Sequence, residues 1–81
     1  MRLPRDISGT ALIARLRRYG YEVNRQTGSH VVVERSGEGE QTLTIPRHRV
    51  IKVRLLGSIV GRAARQLGRD QDEFSEELFG R

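Results

Sequence analysis

The 81-residue sequence predicts an α+β fold: a helix, a three-stranded antiparallel sheet, a longer helix and a short C-terminal acidic helix. Three observations carry that expectation. Apolar residues recur at three- and four-residue steps near both ends of the chain, as helices with one buried stripe require. Between those stretches apolar and polar residues alternate with period two. Glycine or proline stands at most changes of period.

The first helix starts at Ser8, a good N-cap, and runs to Arg18 or Tyr19. Leu12, Ile13, Leu16 and Tyr19 form its buried stripe, and Arg15, Arg17 and Arg18 fall largely off it. Gly20 supplies the left-handed residue that ends it. The first strand, Tyr21 to Gln26, sets Tyr21, Val23 and Arg25 against Glu22, Asn24 and Gln26. Thr27-Gly28 turns the chain into a second strand, His30–Arg35. There Val31 and Val33 take the core face, and period two places His30, Val32 and Glu34 on the open one. A polar loop over Ser36–Glu40 leads to the third strand, Gln41–Ile45, with Leu43 and Ile45 inward and Pro46 ending it.

The second helix spans Val53–Leu67 with the stripe Val53, Leu56, Ile59 or Val60, Ala63 and Leu67, and Gly68 stops it. Gly57 and Gly61 each cost about 1 kcal/mol of helix propensity, and their spacing suggests close approach of another backbone. Asp70 and Glu73 read as a capping-box variant for a last helix that turns Phe74 and Leu78 inward. Residues 1–81 are expected to form a single domain with a modest aliphatic core.

Composition narrows the function classes. The chain has no cysteine, so disulfides and a thiolate zinc site are excluded. Its apolar runs, Val31-Val32-Val33 among them, are far too short to span a membrane, so no membrane partner is expected. The opening MRLPRD has no apolar signal core, which points to the cytoplasm. Residues 1–69 carry fourteen of the fifteen basic residues and five of the ten acids, a net +9, whereas residues 70–81 carry a net −4. A basic body of this kind suits a polyanion, and arginine matches phosphate with a planar, permanently charged fork.

Candidate chemistry gathers around two histidines. His30 follows Gly28-Ser29 at the mouth of a strand, and imidazole can move protons near neutrality. His48 lies in Pro46-Arg47-His48-Arg49, just past the third strand. In a three-stranded meander the start of the second strand and the end of the third share one end of the sheet. That places His30, His48, Arg25, Arg47 and Arg49 in one neighbourhood. Such a set suits cleavage of RNA by its own 2′-hydroxyl, with a histidine as general base or acid and cations on the phosphate. No carboxylate pair stands at metal-binding spacing, so no metal and no other cofactor is expected. Blander readings stand beside this one. His30 can be a turn histidine bonded to a neighbouring carbonyl, His48 a helix-entry cap, and Arg47 and Arg49 a solvated loop.

The stretch Gly20-Tyr21-Glu22-Val23-Asn24-Arg25-Gln26-Thr27-Gly28-Ser29-His30, then Pro46-Arg47-His48, then a leucine-bearing helix, resembles the HicA (YcfA-like) toxins of toxin–antitoxin pairs. The resemblance runs from about Leu3 to Phe79. It implies a double-stranded-RNA-binding-domain-like α-β-β-β-α fold and metal-independent endoribonuclease activity on mRNA. It also implies neutralisation by a HicB-type antitoxin that covers the active site. The family's catalytic histidine maps onto His30, with Gly28 and Ser29 forming the turn that presents it and His48 as a possible auxiliary. Arg25, Arg47, Arg49 and Lys52 are then the expected RNA ligands. The chain departs from the family pattern where Arg54-Leu55 replaces a Gly-Thr pair and where Thr27 replaces a lysine. Two alternatives remain open at this point: a non-catalytic RNA-binding module of the same fold, and an interaction domain for an acidic protein.

Overall fold

The computed structural model describes residues 2–80. Helix α1 spans Gly9–Leu16, and its cap is local chemistry: Ser8 Oγ accepts the Ala11 N–H at 3.0 Å. The chain then tightens into a 3₁₀ turn, Arg17–Tyr19, and leaves it through Gly20 at φ 96°. Strands β1 (Glu22–Thr27), β2 (His30–Glu34) and β3 (Thr42–Pro46) form one antiparallel sheet in the order β1-β2-β3. Helix α2 covers Val53–Leu67, within the bounds that its periodicity predicts, and α3 covers Gln71–Phe79.

One sheet face carries the core and the other stays open. Leu12 and Leu16 of α1, Val33 and Ile45 of the sheet, and Leu56 and Val60 of α2 all meet there, each nearly or fully buried. Helices α1 and α2 pack against β3, α3 packs on α2, and all six residues of β1 are exposed. The outer edge of β3 is blunted. Arg35 N–H on Gln41 O and Arg47 N–H on Ser29 O bracket the β2–β3 ladder, so Thr42, Thr44 and Pro46 aim their backbone groups outward. The Gln66 amide claims the Thr42 carbonyl at 2.8 Å, and Pro46 has no N–H to offer. Gln66 also accepts the hydroxyl of the buried Tyr21 at 2.6 Å, and burial pushes that phenol's pKa upward.

Three expectations need correction. Pro46 is the last residue of β3 and pairs with His30; it sits inside the strand because its missing N–H faces away from β2. Val53 does not join the buried stripe of α2: it is 36% exposed in the first turn, while Ala64 takes a buried place further along. Gly57 and Gly61 do not admit a second backbone. An added Cβ would meet the side chain of Leu3 at 3.4 Å and that of Gln71 at 3.1 Å.

Helix α3 belongs to the core. Phe74 and Leu78 are fully buried, and Asp70 caps the helix by accepting the Glu73 N–H at 3.0 Å. At its other end the Leu78 carbonyl accepts from Arg15 at 3.0 Å and Arg18 at 3.4 Å, cations placed where a helix C-terminus favours them. Glu77 accepts from the Tyr19 hydroxyl at 2.6 Å and from Arg69 at 2.9 Å. The Tyr19 hydrogen bond, then the Arg69 guanidinium, hold its carboxyl below the ordinary value of 4.5.

Two outcomes are expected. Phe74→Ala leaves a cavity and loses about 3–5 kcal/mol in urea denaturation, a large share of a small domain's stability. Because the folded-state pKa of Glu77 is lowered, its contribution is present above about pH 4.5 and fades as pH falls through the folded value. Glu77→Gln is therefore expected to lose less stability than the parent between about pH 6 and about pH 3, measured by the same denaturation.

Candidate functional site

The site starts from a two-residue turn. Thr27 pairs with His30, so Gly28 and Ser29 alone connect β1 to β2. Gly28 sits at φ 47°, and an added Cβ would touch nothing within 4 Å; the glycine is needed for its backbone angle and not for space. With Val31 and Val33 buried, His30 emerges exposed on the open face beside Val32 and Glu34, as the alternation predicts. Ser29 Oγ lies 3.3 Å from His30 Nδ1.

The segment after β3 is clamped to this turn from two sides. Arg47 N–H donates to the Ser29 carbonyl at 2.7 Å, and Gly9 N–H at the start of α1 donates to the His48 carbonyl at 3.0 Å. Gly9 packs so closely that a Cβ there would lie 2.0 Å from the Pro46 carbonyl oxygen. Gly28, Ser29, His30, Pro46, Arg47 and His48 therefore share one end of the sheet. Among the described residues the two imidazoles make no hydrogen bond to each other.

Arg25 reaches the open face by a route that simple alternation misses. The register slips between Val23 and Arg25, a β-bulge at Asn24, so Arg25 pairs with Val32 and takes the His30 face. Strict period two put it with Val23 on the other face. Arg25 and His30 then stand as diagonal neighbours, typically about 7–8 Å apart between such positions. Asn24 donates to the Glu34 carboxylate, which holds that acid at the far end of the open face. Thr27 shares the His30 face through its pairing with His30.

Arg49 lies in the exposed loop to α2 and Lys52 is its N-cap residue, without a side-chain cap bond. Neither is in ladder contact with His30; both prolong the basic surface that begins at Arg47. The side chains of Arg25, Arg47, Arg49 and Lys52 make no hydrogen bond or ion pair within the described residues and are exposed, so their charges face solvent. No cluster of three or more His, Cys, Asp or Glu suited to a metal ion occurs among the described residues. No helix there is long and apolar enough to cross a membrane. The arrangement offers an exposed imidazole, two fixed turns of backbone around it, and uncompensated cations on either side.

Residues 9–68 match a family model described as the HicA toxin of bacterial toxin–antitoxin systems. No curated protein and no solved structure matches the chain. The matched segment begins at the first residue of α1 and ends at the glycine that closes α2, so it contains every candidate residue and leaves α3 outside.

Gly9 supplies a sharp test of the clamp. On helix propensity alone Gly9→Ala gains up to about 1 kcal/mol. The Cβ clash with the Pro46 carbonyl reverses the sign, and a loss of about 1–3 kcal/mol is expected in chemical denaturation.

Proposed function

Because the chain belongs to the HicA family and is the toxin of a bacterial toxin–antitoxin system, we propose that it acts as a metal-independent endoribonuclease on mRNA in the cytoplasm. His30 carries one of the two proton transfers. A base removes the 2′-hydroxyl proton, the 2′-oxygen attacks the adjacent phosphorus, the bond from phosphorus to the 5′-oxygen breaks, and an acid protonates that leaving oxygen. The products are a 2′,3′-cyclic phosphate and a 5′-hydroxyl. His48, held at the same end of the sheet, is the candidate for the second proton.

The observation that carries this reading is the exposed His30 on a turn bonded to Arg47, with Arg25 brought to its face by the bulge. Arg25 and Arg47 bind the phosphates and stabilise the charge that builds on phosphorus. Arg49 and Lys52 extend the track for the RNA backbone, and Ser29 and Gly28 set the position of the imidazole. A HicB-type antitoxin would neutralise the toxin by covering this end.

Inducible expression of the parent and of His30→Ala tests the proposal, with growth and bulk mRNA integrity as readouts. The parent arrests growth and fragments mRNA; His30→Ala, equally abundant, loses about 10²–10⁴-fold in cleavage rate and keeps RNA binding. Equal cleavage by both proteins overturns His30 as a catalyst. Absence of cleavage by either, with RNA binding retained, leaves a non-catalytic RNA-binding module. Arg25→Ala and Arg47→Ala are each expected to lower the salt slope of RNA binding by about one.

A further inference from the structure

Strand pairing lays out the open face of the sheet in three rungs. Thr27, His30 and Pro46 form the rung at the turn. Arg25, Val32 and Thr44 form the next, and Glu22, Glu34 and Thr42 form the last. At about 3.3 Å per residue the last rung lies about 13 Å from the first. Imidazole and cation therefore stand at one end of the face, and two carboxylates at the other.

Glu22 and Glu34 are exposed and directly opposite each other. Like charges in that relation destabilise a sheet. Asn24, the bulged residue, donates its side-chain amide to Glu34 and so keeps that carboxylate on its rung. Among the described residues neither acid pairs with a cation. The pair works against the fold, and its effect falls on whatever lies over the sheet.

The face also lacks a stacking surface. The chain has two Tyr, two Phe and no Trp. Tyr21 and Phe74 are fully buried, Tyr19 packs edge-on against Phe74 at 5.0 Å between centroids, and Phe79 lies beneath the Arg15 guanidinium. Proteins that carry a single strand along their surface supply rings for the bases as well as cations for the phosphates. Beyond the middle rung this face has neither.

We propose that Glu22 and Glu34 set the RNA footprint. A strand meets the sheet only at its turn end, through the sugar–phosphate backbone, and the facing carboxylates repel any phosphate placed over the far rung. The strand then leaves over Arg47, Arg49 and Lys52 and not along the sheet. Screening over about 8 Å makes the repulsion local, so it limits the footprint without weakening the phosphate contacts at His30. The inference rests on the RNA-binding role proposed for this end of the sheet.

Fluorescence anisotropy in the His30→Ala background tests it, with labelled oligouridine of about four and about twelve nucleotides and an abasic chain of the longer length. The double variant Glu22→Gln/Glu34→Gln is expected to bind the longer oligomer about fivefold or more tightly than the parent, and the shorter one within about twofold. The amide oxygen introduced by Glu34→Gln still accepts from Asn24, and thermal melts establish that the variants fold. Glu38→Gln, a charge change in the β2–β3 loop, leaves both affinities within about twofold. The parent holds the abasic chain within about threefold of oligouridine. A double variant within about twofold of the parent on the longer oligomer overturns the proposal, as does a loss of about tenfold or more on removing the bases. If Glu38→Gln strengthens binding as much as the double variant does, net charge is the cause and the proposal fails. A parent that binds no RNA overturns the RNA reading and this inference together; a parent that binds but is indifferent to the two acids overturns this inference alone.

Discussion

Two main-chain hydrogen bonds hold the segment on which the candidate site is built: Arg47 N–H to the Ser29 carbonyl, and Gly9 N–H to the His48 carbonyl. They join residues far apart in sequence, so the site exists only when α1, the β1–β2 turn and the end of β3 have come together. Both partners are backbone groups, which makes the clamp independent of the side chains that do the chemistry. It also satisfies polar groups that an irregular segment would otherwise leave unpaired on desolvation. The requirement falls on Gly9, because no other residue admits the Pro46 carbonyl at that distance. Where the backbone of His30 stands is thus decided by the fold, and Ser29 Oγ, 3.3 Å from its Nδ1, is the polar side-chain contact of its ring.

The arginines divide into two populations that composition cannot separate. Arg15 and Arg18 cap α3 through the Leu78 carbonyl, Arg69 pairs with Glu77, Arg35 donates to Gln41, and Arg62 meets Glu40. Arg69 also lies over the Tyr19 and Phe74 rings at 5.8 Å, so it packs as well as pairs. These guanidiniums serve the fold. Arg25, Arg47, Arg49 and Arg54, with Lys52, serve nothing inside it. A charged side chain left without an internal partner costs little on the surface, and its field is available to a ligand. The formal charge of +5 therefore understates how positive the His30 end is.

What the sequence made legible was local. The Ser8 cap, the left-handed Gly20, the span of α2 and the exposed face of His30 all follow from rules that act within a few residues, and they stand in the structure. What it concealed depends on a partner element. The face of Arg25 turns on a bulge that exists only against β2. The roles of Gly57 and Gly61 turn on Leu3 and Gln71, which reach them from either end of the chain. Gly9 was overlooked because glycine at the first helical position has no local reason; that lack of a reason was itself the signal. The wider basic surface was readable as charge, but its division between fold and site was not.

The position of α3 completes the electrostatic argument. Its Glu77 sits near the C-terminal end of α1, where it accepts from Tyr19 and pairs with Arg69, whereas the N-terminal end of α1 abuts the Pro46–His48 segment. An eight-residue helix at about 1.5 Å per residue separates the two by about 12 Å. At physiological ionic strength charges are screened over about 8 Å, so the Glu77 carboxylate cancels little of the field around His30. The acidic helix adds Phe74 and Leu78 to the core, offers its Leu78 carbonyl to Arg15 and Arg18, and pairs its Glu77 with Arg69. The chain thereby gains hydrophobic burial from a segment outside the family-matched region without giving up the cations that a phosphate chain would meet.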